Sequence, residues 1–206
     1  MTETEIYRDL SALTNDRARW EESIPFFVSL LTLESTKIRA KALWLLGEAG
    51  LAFPCSVRDH VPSVAAFCHS PESLLRDRAI TALGRIGRGS FASIEPYWDM
   101  LLHFASDEVP KVRLSFIWAS ENIAVNTPDP YEKVLPVFAQ LLCDPDEKVR
   151  MEAPEIFRVL GKLRPAFVRP YIEQLRAVSE SDSNRVVRIH CLGAIRASVS
   201  DTAVKP

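Results

Sequence analysis

The 206-residue chain is 47% hydrophobic and 25% charged, with 25 Lys and Arg against 27 Asp and Glu for a net charge of −2. That apolar content excludes disorder of the whole chain, and no apolar run approaches the roughly 18 residues of a membrane-spanning helix. Near-neutral charge excludes attraction of the chain as a whole to nucleic acid or an anionic membrane, though not a local basic patch.

The first residues, MTETEI, are acidic and polar and lack the basic and apolar segments of a signal peptide. Within 3–17, Ile6, Leu10 and Leu13 share one helical face, which predicts an amphipathic helix. From about Glu21 the chain repeats. Five segments superpose without gaps: IRAKALWLLGEAG at 38–50, LRDRAITALGRIG at 75–87, VRLSFIWASENIA at 112–124, VRMEAPEIFRVLG at 149–161 and VRIHCLGAIRASV at 187–199. Each opens on a branched aliphatic residue and an arginine. Arg39, Arg76, Arg113, Arg150 and Arg188 are spaced by 37, 37, 37 and 38 residues. Pro25, Pro62 and Pro136 each stand 14 residues before an arginine, so both ends of the unit keep one period.

Two apolar patterns with helical spacing fill each unit. A first helix is predicted over IPFFVSLLTL, VPSVAAFCHS, EPYWDMLLHFA, LPVFAQLLCD and RPYIEQLRAV; the second follows the arginine. Between them lie turns rich in Ser, Asp, Pro and Asn, which cap helices and tighten turns. In the first two units Gly47 and Gly84, each with another glycine three residues on, read as the C-terminal stop of the second helix. Pro154 predicts a kink in the fourth. No period-two alternation bounded by hairpin residues occurs, so the chain is all-α. Cys55, Cys68, Cys143 and Cys191 lack CxxC spacing and read as small buried apolar residues in a reducing, cytoplasmic compartment.

The unit length, the proline in the first helix and a turn aspartate six residues before an arginine resemble HEAT repeats. The resemblance implies a right-handed α-α solenoid of about five helical hairpins in one domain, 1–206. Its cap is 1–20 and its repeats are about 21–52, 57–90, 93–126, 130–163 and 165–200, with 200–206 expected to fray. It also implies a ladder in which each arginine meets the aspartate of its own or the next turn, through Asp107, Arg113, Asp144, Arg150, Asp182 and Arg188. Leu33 and Ser70 replace the aspartate in the first two turns, where Glu34 and Glu72 are the nearest substitutes.

Counted from the arginine at 100° per residue, aliphatic columns at −1 (Ile38, Leu75, Val112, Val149, Val187), +4 (Leu43, Ile80, Ile117, Leu192) and +7 mark the buried face. The opposite stripe carries Lys41, Trp44 and Glu48; then Arg78, Thr81, Arg85 and Arg88; then Ser115, Trp118 and Asn122; then Glu152, Glu155 and Lys162; then His190, Gly193 and Ala197. In HEAT solenoids the second helices line the concave surface, so the resemblance turns this stripe toward the groove. Tryptophan with arginine is a composition of binding surfaces. Lys41, Trp44, Arg78, Arg85, Arg88, Trp118, Asn122, Glu152 and Glu155 are therefore the candidate partner-binding residues. Glu121 adds to the acidity around Glu152 and Glu155.

No GxSxG, HExxH, phosphate-cradling glycine loop or metal-ligand spacing is present, so no catalytic residue, cofactor or metal is assigned. His190–Cys191 and Cys68–His69 are adjacent pairs whose side chains diverge by about 100° on a helix. The expected function is a non-enzymatic scaffold or binding module holding a protein partner, with no membrane. The alternative is a HEAT-like DNA glycosylase or other nucleic-acid binder using Trp44, Trp118 and a carboxylate, Glu121 or Glu155. The net charge disfavours nucleic acid, and the adjacent Trp98–Asp99 fall on a first helix. HEAT-like lyases that attach bilins are a third possibility, with no specific residue in support.

Overall fold

The computed structural model describes residues 2–199, so the expectation for 200–206 lies outside the described residues. Among the described residues there are helices and turns and no strand. The chain divides into two compact units, Met1–Leu101 and Leu102–Pro206.

In the first unit, α1 (Glu3–Asn15) begins with a capping box. The Thr2 hydroxyl accepts from the Glu5 N–H, and the Glu5 carboxylate accepts from the Thr2 N–H. Ile6, Leu10 and Leu13 are its buried face, and the Trp20 indole N–H donates to the Leu13 carbonyl at 2.8 Å. α2 (Trp20–Ser29) leads to the long α3 (Thr36–Ala52), then come the short α4 (Pro54–Val57) and α5 (Val61–Ala65), the long α6 (Ser73–Gly89) and the short α7 (Phe91–Ile94). α3 packs against α1, α2 and α6. The short α8 (Trp98–Leu102) lies at the division.

The second unit contains the long α9 (Pro110–Asn126), α10 (Leu135–Leu141), the long α11 (Glu147–Leu163), the short α12 (Pro165–Val168), α13 (Ile172–Ser181) and the long α14 (Arg185–Val199). α11 packs between α9 and α14. Phe116 and Phe138 stack at 5.0 Å inside it, and the buried Tyr131 donates to the Ser120 carbonyl at 2.9 Å.

Four sequence readings are corrected. The first helices are not single α-helices: around Pro62, Pro96, Pro136 and Pro170 they alternate short α and 3-10 segments. Proline has no N–H to continue the preceding turn, so each segment starts anew beside it. Second, the glycines do not end the long helices. α3 runs through Gly47 and Gly50 to Ala52, and α6 through Gly84 and Gly87 to Gly89. A Cβ at Gly47 would lie 2.7 Å from the Ala82 Cα, one at Gly50 would collide with Ile86, and one at Gly89 would lie 2.7 Å from the Gly50 carbonyl oxygen. These glycines serve close approach of α3 and α6. Third, the −1 column is fully buried, but at +4 Leu192 is 39% exposed and its neighbour Ile189 51% exposed, both on α14. Fourth, only Cys68 and Cys191 are buried, where burial pushes both thiols up to about 12; Cys55 and Cys143 are exposed. α11 continues through Pro154.

Candidate partner-binding site

The arginine that opens each long helix reaches back to its own turn. Arg39 donates to the Glu34 carbonyl, Arg76 to Ser70 and Pro71, Arg113 to Asp107, Arg150 to Asp144 and Pro145, and Arg188 to Asp182 and Ser183, at 2.7–3.3 Å. These bonds satisfy carbonyls that the turn leaves without helical partners. In the second unit the guanidinium also reaches the next turn's aspartate. Arg113 forks onto Asp144, and the Arg150 Nε–H donates to Asp182 at 2.8 Å. The aspartates brace their own turns: Asp107 accepts from the Val109 N–H, Asp144 from Asp146 and Asp182 from Asn184. Burial raises the Asp182 carboxyl, but hydrogen bonds from Arg150 and the Asn184 backbone, with the charges of Arg150 and Arg188, outweigh it and hold Asp182 below its ordinary value. In the first unit Glu72 takes the aspartate's place, accepting from Arg39 at 3.2 Å, while the buried Arg39 Nε–H has no hydrogen-bond partner among the described residues. The longer, more exposed glutamate does not reproduce the two-point fork.

In the first unit the candidate residues divide into two groups. Lys41, Trp44 and Arg78, together with Tyr7, Lys37 and Leu74, wall an open cavity of about 570 Å³. The helical repeat accounts for this: Lys37, Lys41 and Trp44 lie on one face of α3, and Leu74 and Arg78, each 37 residues after a lysine, sit at equivalent places on α6. The ammonium group of Lys41 lies 4.4 Å from the Trp44 ring centroid, and that of Lys37 lies 4.0 Å from the ring of Tyr7 on α1. Burial, then the charge of Arg78, lowers the pKa of Lys41 from its ordinary value. Further along, Arg85 is paired with Glu48 at 2.6 Å, which ties α6 to α3 and engages that guanidinium internally. Arg88, half-buried, is one turn beyond it.

In the second unit Trp118 is half-buried under the Lys111 ammonium group, 4.1 Å from its ring, and the Asn122 amide donates to the Trp118 carbonyl. Glu121, Glu152, Glu155, Arg158 and His190 line a second cavity of about 540 Å³. Glu155, expected on the exposed stripe, is buried, because Arg158 donates to it and His190 lies 3.4 Å away. A ring nitrogen of His190, Nδ1, is 2.7 Å from the Met151 carbonyl and therefore carries its hydrogen toward it. Burial, reinforced by Glu152 and Glu155 and opposed by Arg158, pushes the Glu121 carboxyl up to about 8; its Oε1 is buried without a hydrogen-bond partner among the described residues. Among the described residues no group of three His, Cys, Asp or Glu is placed to hold a metal ion, and no helix is long and apolar enough to cross a membrane. Trp98 packs edge-on against Phe91.

Tyr7, Lys37, Leu74, Lys111 and Arg158 were missed by the column reading. Lys37 and Lys111 carried a signal, a lysine two residues before the repeat arginine. Tyr7 carried none, because the docking of α1 is a tertiary matter.

The profile of the family described as "Sister chromatid cohesion protein PDS5 protein" matches residues 21–180. No curated protein sequence matches the chain. In structure it is similar to a designed armadillo repeat protein solved in complex with the peptide (KR)4, with TM-score 0.68, 18% identity, and coverage of 93% of this chain and 90% of that one. A computationally designed armadillo repeat protein for modular peptide recognition gives TM-score 0.59 at 16% identity, covering 95% and 94%. The complex of CpcE and CpcF of phycocyanin lyase from Nostoc sp. PCC7120 gives 0.63 at 19%, covering 84% and 98%. At these identities the likeness establishes the fold alone: an all-α helical-repeat solenoid of the HEAT and armadillo type. With the family profile covering most of its length, the chain belongs to the sister chromatid cohesion protein PDS5 family.

Proposed function

We propose that the protein is a non-enzymatic repeat module that holds a protein partner on the exposed stripe of its long helices. Helical-repeat stacks are most often scaffolds for other proteins. The observation that carries the reading is the cavity walled by Trp44, Tyr7 and three cationic side chains, a concentration of aromatic and guanidinium or ammonium groups typical of interface centres. The peptide-bound designed armadillo repeat protein supports the use of this fold for peptide segments. Lys41, Trp44, Arg78 and Arg88 in the first unit, and Trp118, Asn122 and Glu152 in the second, are its contact residues; Arg85 and Glu155 are spent on internal ion pairs. A phosphate backbone would meet the Glu152 and Glu155 carboxylates in the second cavity, which weighs against nucleic acid.

The test compares Trp44→Ala and Trp118→Ala with Gln140→Ala, an exposed residue of α10 away from the stripe, in cross-linked pull-downs from the native host. Specific partners should be lost from the tryptophan variants and kept by Gln140→Ala, with all three melting together. Full retention by both tryptophan variants would overturn the reading.

A further inference from the structure

The cavity of the first unit is unbalanced in charge. Among the described residues no carboxylate pairs with Lys37 or Lys41, and the nearest to Arg78 is its neighbour Asp77, buried and 3.8 Å away. The imbalance is local. Residues 1–101 hold eleven Lys and Arg against thirteen Asp and Glu, yet three of the eleven converge on this one opening. A stripe built to follow a phosphate backbone spreads its cations along a surface; here they ring two aromatic faces and the 43%-exposed Leu74. About 570 Å³ suits a few side chains rather than a folded domain.

Building on the binding-module reading, we infer that this cavity takes a short acidic peptide segment of the partner. In the complex, one aromatic or large aliphatic side chain lies against Trp44, Tyr7 and Leu74, and flanking Asp or Glu carboxylates meet Lys37, Lys41 and Arg78. The lysines are already held on their rings, so a carboxylate gains an ion pair without ordering a free side chain, and the ring contact persists behind the ammonium group. Arg78 presents a planar fork that donates to a carboxylate at two points. The partial burial that lowers Lys41 also strengthens any ion pair it makes, because less water screens it. Helix α1, whose apolar face caps the first repeat, contributes Tyr7 to the wall and so belongs to the binding surface as well.

The experiment is calorimetric titration of the full chain with the unlabelled peptide Gly-Asp-Glu-Phe-Asp-Glu-Gly at low and moderate salt. Three comparison ligands are used: the same peptide with Asn and Gln for Asp and Glu, the same peptide with Ala for Phe, and a thymidine oligonucleotide. The acidic peptide should bind, weaken with added salt, and lose at least tenfold in affinity in Lys41→Glu and in Trp44→Ala. Both altered peptides should bind at least tenfold more weakly than the parent. Lys41→Glu, on the rim rather than in the core, keeps the test valid if Trp44→Ala does not fold. The inference is overturned if the acidic peptide does not bind, if the amide peptide binds as well, if the oligonucleotide binds more tightly, or if Lys41→Glu leaves binding unchanged. If the peptide fails while Trp44→Ala still releases the native partner, the binding module stands and only this account of its ligand falls.

Discussion

Arg113 and Asp144 join consecutive turns through two parallel bonds, Nε to Oδ2 at 2.7 Å and Nη2 to Oδ1 at 2.6 Å, with both residues buried. Removing one partner leaves the other charged and out of water. Arg113→Ala should therefore destabilise the second unit by about 3 kcal/mol. Arg39→Ala, whose partner Glu72 is half exposed and held at one point, should cost about 1 kcal/mol. Lys162→Ala, on the surface, should stay within about 0.5 kcal/mol. Urea midpoints of the three variants decide the order; equal losses at Arg113 and Lys162 would remove the ladder from the account of stability.

Glu121 gives the protein a pH dependence with a definite sign. Its carboxyl titrates near 4.5 in the unfolded chain and at about 8 in the fold, so across that window the folded state binds the extra proton. Stability is then greatest below about 4.5 for this group and declines as pH rises to 8. Glu152, Glu155 and Arg158 on α11 and His190 on α14 face the same cavity. Glu121→Gln keeps the neutral shape. It should flatten the decline and make the variant more stable than the parent at pH 8.5, with little difference at pH 5. A denaturation series at the two pH values tests this, and a parent that gains stability toward pH 8.5 relative to the variant would contradict it.

Gly47 and Gly193 lie within long helices and predict opposite outcomes. A methyl group at Gly47 would press on the Ala82 backbone, which cannot swing aside, so Gly47→Ala should lose about 1–3 kcal/mol despite alanine's better helix propensity. At Gly193 the added carbon meets only the Arg158 side chain at an ordinary 3.7 Å. Gly193→Ala should gain about 0.5–1 kcal/mol from propensity alone. Thermal melts of the pair measure both signs together.

Much of the fold was legible because the 37-residue period recurs in side chains with one geometric job each. The −1 column had to be buried, and the arginine had to find acceptors at a turn. The glycines were misread because a sequence shows the conformational weakness of glycine but not the neighbouring helix that requires its small size. Glu155 was misread for a related reason: its column faces outward, but Arg158 one turn on and His190 from α14 fold over it. The site was legible where it follows the repeat, in Lys41, Trp44 and Arg78. It was hidden where it depends on how α1 docks, as with Tyr7. Three of the four tryptophans are half-buried and each is held by a neighbour: Trp44 by Lys41, Trp118 by Lys111 and Trp98 by Phe91.

Along the seam between α3 and α6, Gly47 faces the Ala82 backbone, Gly89 faces the Gly50 carbonyl and Gly50 faces the Ile86 side chain, so backbone nearly meets backbone at two of these points. Where backbone nearly meets backbone, no side chain can change rotamer to let the helices slide. Any relative movement must break close packing over its length at once rather than yield by degrees. Lys41 and Trp44 on one helix, and Leu74 and Arg78 on the other, project from this same locked pair, and the Arg85–Glu48 bridge fastens it further along. The opening they surround is thus largely formed before anything enters it. A ligand there has little ordering of the backbone to offset, and its dissociation rate, rather than a closing motion of the protein, should set how long it stays.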